Sequence, residues 1–194
     1  MTRLNLLATS TVWTIVFLFL LVVSAGAKEG KLYKRTMEEY VVPDVTLLDQ
    51  EGQEVHLKSY LDSEKVIVLD FIYGTCTTIC PVLSVSFAHL QKKLGEARDT
   101  VRLVSISIDP DNDTPELMKE HLQKYGAQPG WDAFTGKRDN IIEVLTAFDA
   151  YVTNKMNHYP LTILRAPGET QWVRLYGLLS ASDLRKEYQQ LMKK

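Results

Sequence analysis

The run Val66-Ile67-Val68-Leu69-Asp70-Phe71-Ile72-Tyr73-Gly74-Thr75-Cys76-Thr77-Thr78-Ile79-Cys80-Pro81 decides how this chain is read. Its first half, apolar but for Asp70, predicts a buried strand. From Leu83 to Leu94 apolar residues recur at helical spacing, and Gly95 closes the pattern. The chain has 2 cysteines in all, Cys76 and Cys80, and both fall where the strand ends and the helix begins. Backbone N–H groups and the positive end of the helix dipole point there and favour thiolate over thiol. The pair is separated by three residues, not by the two of the common thiol-redox motif. On a regular helix, side chains four apart have Cβ atoms about 5–6 Å from each other, whereas a disulfide wants about 3.5–4.5 Å. Bonding the two sulfurs therefore predicts distortion of the first helical turn. A metal ion held between them needs no such closure, but it needs a further ligand from elsewhere in the chain.

The ends and the composition narrow the setting. After Met1-Thr2-Arg3 comes an uncharged stretch, Leu4 to Ala27, ending Ser24-Ala25-Gly26-Ala27 before Lys28. A basic start, an apolar centre and a small-x-small end describe a secretory signal, and the stretch is also long enough to be an uncleaved membrane anchor. Both readings place the body outside the cytoplasm. The remainder is of a size for one domain. A net charge of −2 gives no support for nucleic-acid binding or a polybasic membrane surface. Two cysteines make no stapled mini-domain, so the core must come from apolar burial.

Residues 28–41 are polar and mixed in charge and read as a linker, with the folded domain expected over 42–194. Val45–Leu48 and Val55–Leu57 flank the turn Asp49-Gln50-Glu51-Gly52-Gln53 and predict a hairpin. The strand and helix of the cysteine segment follow. Val101–Ile108 reads as a strand that ends at Asp109-Pro110. Asp113-Thr114-Pro115-Glu116 opens a helix, with Asp113 three residues before Glu116. A second helical pattern covers Arg138–Phe148. Leu161–Leu164 and Trp172–Tyr176 form another hairpin, and Ser180 opens a final helix. An early strand–helix–strand crossover with a late antiparallel pair predicts an α/β, thioredoxin-like plan: a mixed central sheet, flanking helices and an added N-terminal hairpin.

Three segments, in order, resemble the Sco/SenC proteins. They are Phe71 to Pro81 with its Cys-x-x-x-Cys-Pro, Ser105 to Glu116 with its Asp-Pro and Asp-Thr-Pro-Glu, and Asn157-His158-Tyr159-Pro160-Leu161-Thr162-Ile163-Leu164. The chain departs at Thr77, where many members have proline, and at Ala166-Pro167-Gly168-Glu169, where an Asp-Pro-x-Gly turn is usual. The resemblance implies a copper protein linked to cytochrome c oxidase assembly, with Cys76, Cys80 and His158 as metal ligands and copper, Cu(I) or Cu(II), as the metal. It implies as partners a copper-receiving oxidase subunit and other copper chaperones, and a location in the periplasm or on the outer face of the inner membrane, with the N-terminal segment as a tether. Two thiolates and one imidazole form a soft set that suits copper. Two other functions stay open. One is a thiol–disulfide reductase in which Cys76 and Cys80 form a redox-active pair without metal, and the other is a copper or redox sensor. Asp109 reads equally as turn chemistry or as a carboxylate that orients His158. His56, His89 and His121 read as surface or packing residues, and Trp131, Trp172, Tyr73 and Tyr176 as core or edge aromatics.

Overall fold

The computed structural model describes residues 32–193. The signal or anchor expected over residues 1–27 lies outside them, and among the described residues no helix is long and apolar enough to cross a membrane. The chain forms β1 (Tyr33–Glu39), β2 (Thr46–Asp49), β3 (Glu54–His56), a short α1 (Leu57–Leu61) and β4 (Val66–Ile72). It continues through α2 (Cys80–Leu94), β5 (Val101–Ser107), α3 (Pro115–Lys124), β6 (Trp131–Thr135) and α4 (Arg138–Ala147). It ends with β7 (Leu161–Arg165), β8 (Gln171–Gly177) and α5 (Ala181–Leu191). The strands make one 8-stranded sheet in the order β1-β8-β7-β4-β5-β6-β2-β3. β4 pairs with β5, and β5 with β6, in parallel, while the other pairings are antiparallel. This is the thioredoxin-like α/β arrangement that the sequence predicts, including the β2–β3 hairpin.

β4 is buried along its whole length because both faces of the sheet are covered. Val66, Val68 and Ile72 face one core with Phe87 and Leu90 of α2, Met118 of α3 and Leu184 of α5. Ile67, Leu69 and Phe71 face the other with Leu57 and Leu61 of α1 and Ile141 and Val144 of α4. The alternation is the strand period of two, with apolar residues on both faces. It puts Asp70 on the same side as α2.

Two expectations are corrected and one strand is added. Residues 28–41 are not a linker throughout, since Tyr33–Glu39 pairs in full register with β8, from Tyr33 opposite Gly177 to Glu39 opposite Gln171. An edge strand needs only backbone partners, and Tyr33 alone of its residues is buried, so no apolar alternation announces it. β6 went unpredicted because it is short and lies between Gly130 and Gly136, which read as loop. At the start of α3, Thr114 is the cap that accepts the Leu117 N–H, which frees Asp113 for another task.

Candidate metal centre

β4 delivers the chain to the site. Past Ile72, the Tyr73 carbonyl accepts the Cys76 N–H at 3.1 Å, turning the chain before α2 begins at Cys80. Pro81 sits in the first turn, where a missing N–H costs little. Only Cys80 is therefore helical, and the spacing argument that set both cysteines on one helix does not apply. Cys76 lies in the loop, with its sulfur 3.4 Å from the Cys80 N–H and 3.8 Å from the Thr78 hydroxyl. Ile79 at the cap position offers no side-chain acceptor, so the Cys76 sulfur takes over that role. Burial opposes the Cys76 thiolate, but the Cys80 thiol, the Cys80 N–H and Thr78 together outweigh it and bring the pKa down to about 7. Burial and the neighbouring Cys76 sulfur push Cys80 the other way, well above the ordinary thiol range.

Asp113, in the loop between β5 and α3, braces the cysteine loop. Its carboxylate accepts the Gly74 N–H at 3.0 Å and the Ser107 hydroxyl at 2.5 Å, and its carbonyl accepts the Thr135 hydroxyl at 2.7 Å. Gly74 has no room for a side chain, because a Cβ there would sit 2.9 Å from Asp113 Oδ1.

His158 arrives from the other side. A single 3-10 turn, Lys155–Asn157, precedes it, with the Asn154 side chain accepting the Met156 N–H at 2.9 Å and the Lys155 carbonyl accepting the His158 N–H at 3.1 Å. The Lys155 ammonium pairs with the Asp109 carboxylate. Asp109 also accepts from the Asn112 side chain at 2.9 Å, so it fastens the turn and does not orient the imidazole. Both ring nitrogens of His158 are buried without a hydrogen-bond partner. Burial drives its pKa down to about 4, and the Phe71 carbonyl offsets a little of this without completing a hydrogen bond. The ring stands edge-on to Tyr73, centroids 6.3 Å apart, and lines a cavity of about 190 Å³ with Tyr151, Tyr159, Arg174 and Tyr176. The structure thus brings Cys76 and Cys80 together and leaves His158 beside Tyr73. Among the described residues no three His, Cys, Asp or Glu side chains are already gathered as a metal site.

The remaining histidines are not part of the site. His56 and His89 are exposed, and His121 is packed against Ser84 at 2.8 Å. Trp131 and Trp172 are core residues, whereas Tyr73 is buried and also borders the site. Asp70 escaped notice as a site residue. It is fully buried, neither of its oxygens has a hydrogen-bond partner, and its charge acts on Cys80. Its signal in the sequence was a lone acid in an apolar run.

The profile of the SCO1/SenC family matches residues 34–174. The chain belongs to the SCO1/SenC family. This family member is 37% identical over 116 residues to a Bacillus subtilis protein named SCO1 protein homolog, a match covering 58% of this chain and 59% of that one. It is 30% identical over 104 residues to a Stutzerimonas stutzeri protein named for proposed copper binding, covering 53% of this chain and 49% of that one. The SCO1/SenC chain spans about half the length of these two curated relatives. The solved structure of BsSco superposes with a TM-score of 0.65 at 29% identity, covering 80% of this chain and 95% of that one. BsSco is described there as having a disulfide switch and as a member of the Sco family of cytochrome c oxidase assembly proteins.

Proposed function

We propose that the chain is a copper carrier, holding one copper ion through Cys76, Cys80 and His158 and delivering it during assembly of the dinuclear copper centre of a respiratory cytochrome c oxidase. The observation that carries this reading is His158. Buried polar atoms are nearly always hydrogen-bonded, yet both nitrogens of this imidazole lack a partner. Burial keeps the ring neutral, the form that ligates metals. The paired sulfurs lie at the junction of the loop and α2, and a soft two-sulfur, one-nitrogen set favours Cu(I) with Cu(II) accessible. A structural zinc would want four closed ligands. Tyr73 borders both halves of the proposed set, with its ring 6.3 Å from the imidazole and its carbonyl accepting the Cys76 N–H. The apolar stretch Leu4–Ala27 supports a site of action outside the cytoplasm, in the periplasm or on the outer membrane face, where an oxidase subunit receives the ion. The names of the relatives agree with this reading.

The test is a Cu(I) titration of the reduced protein against a competing chelator, repeated with Cys76→Ala, Cys80→Ala and His158→Ala. The cysteine variants should lose most of the affinity and the histidine variant a smaller part. Unchanged affinity in all three would refute the site.

The cysteines also support a second reading, reduction of a disulfide on the oxidase subunit. Cys76, with its pKa near 7, is a thiolate that attacks a target disulfide and releases one target thiolate. The buried Cys80 then gives up its proton and attacks the mixed disulfide. The products are a Cys76–Cys80 disulfide and a reduced target dithiol. His158→Ala separates the two readings, because thiol exchange needs only the sulfurs. Normal oxidase assembly in cells carrying His158→Ala, with none in Cys76→Ala, would favour the reductase.

A further inference from the structure

We propose that Met156 is an additional copper-binding residue, receiving the ion at the mouth of the site before the cysteines and His158 close on it. The inference rests on the copper-carrier reading. Its starting point is the position of Tyr73. The Tyr73 carbonyl fixes the Cys76 backbone, its ring stands beside His158, and its hydroxyl lies 3.9 Å from Met156 Sδ. A single residue thus touches the cysteine loop, the imidazole and the thioether.

Met156 is 72% exposed, an unfavourable setting for an apolar side chain. Its turn is nevertheless firmly held. The Asn154 side chain caps the Met156 N–H, the Asn154 carbonyl accepts from Asn157 at 2.9 Å, and Lys155 is paired with Asp109. A fixed backbone therefore presents a mobile thioether to solvent, two residues before His158. The second observation is the imidazole itself, buried and without a partner on either nitrogen. It is a ligand that solvent does not reach, whereas Met156 is a ligand that solvent reaches freely.

The chemistry is complementary. Thioether sulfur is uncharged and soft, so it prefers Cu(I) to the hard cations of the surrounding solution. It has no proton to release, and it binds and lets go across the whole pH range. An ion caught there lies next to Tyr73, whose ring stands beside His158 and whose carbonyl holds the Cys76 backbone.

The experiment uses the reduced full chain labelled with ¹³C at the methionine methyl groups, of which there are 5. Met156→Leu assigns the Met156 signal. One equivalent of Cu(I) should shift the Met156 methyl, while the buried Met118 stays in place. In stopped-flow uptake from a Cu(I) chelator, Met156→Leu should load about tenfold more slowly, whereas Met192→Leu should match the wild type. Tight Cu(I) binding with an unmoved Met156 methyl and unchanged uptake by Met156→Leu would overturn the inference and leave the copper-carrier reading intact. Absence of any Cu(I) binding by the wild type would overturn both.

Discussion

Cys76 and Cys80 are four residues apart and differ widely in acidity, which gives a direct test at the residue scale. The Cys76 pKa is lowered to about 7, so its thiolate dominates above that pH, and its contribution to stability is lost as pH falls through 7. Iodoacetamide should modify Cys76 with a rate that is half-maximal near pH 7 and should leave Cys80 nearly untouched. Thr78→Val should move that midpoint upward, and site-resolved mass spectrometry reads both results. Asp70 behaves oppositely. Burial raises its pKa from 3.8 to about 7, against a small lowering by the nearby Ser105 hydroxyl. The folded state holds the proton more tightly than the unfolded chain, so folding stability should fall as pH rises from about 4 to about 7. The loss is at most about 4 kcal/mol. Asp70→Asn should flatten that slope in urea melts taken across the range, and an unchanged slope would contradict the assignment. The sequence displayed both cysteines and the lone acid in the apolar run. It did not display their acidities, which depend on where Cys76 sits relative to the helix and on which face of β4 carries Asp70.

The strand-to-helix junction and the late hairpin were legible as elements because apolar periodicity and turn residues mark them. The brace on the junction was not. Asp113 looks like a helix cap in sequence, and only the fold brings the loop after β5 beside Gly74, where the carboxylate takes the Gly74 N–H and the Ser107 hydroxyl. Gly74→Ala should therefore destabilise the protein, because a new Cβ 2.9 Å from Asp113 Oδ1 must displace the brace. The expected cost is about 1–3 kcal/mol, the range for disturbing a buried hydrogen bond, with copper affinity falling alongside. Asp113→Ala in the Gly74→Ala background should add little further loss, since both act on one contact. β1 was illegible for a different reason, being a polar edge strand whose partner lies at the far end of the sequence. It approaches Gly177 so closely that a Cβ there would come within 2.8 Å of the Tyr33 Cα, and Gly177 has a φ of +127°. Gly177→Ala should cost roughly 1–3 kcal/mol from backbone strain alone. Its signature should be early hydrogen exchange confined to Tyr33–Glu39 and the facing β8.

At the scale of the whole molecule, the described ends of the chain fasten each other. β1 lies along β8, the Tyr33 hydroxyl donates to Glu187 of α5 at 2.6 Å, and the Arg35 guanidinium donates to the same carboxylate at 2.9 Å. The sequence order of helices and strands implied the sheet, and the thioredoxin-like plan needed no more. Long-range closure had no local signal, since it depends on pairings more than a hundred residues apart. This closure also fixes an order in time. A chain made from its N-terminus presents Tyr33–Glu39 before the other described strands, yet that strand has nothing to pair with until Gln171–Gly177 has emerged. Contacts between such distant segments form late because the loop-closure entropy must be met first. In pulse-labelled refolding, the amides of Tyr33–Glu39 should gain protection no sooner than those of β8, whatever the fate of β4 and β5. Until then the earliest-made of the described strands waits unsheltered, open to a protease or a holding chaperone.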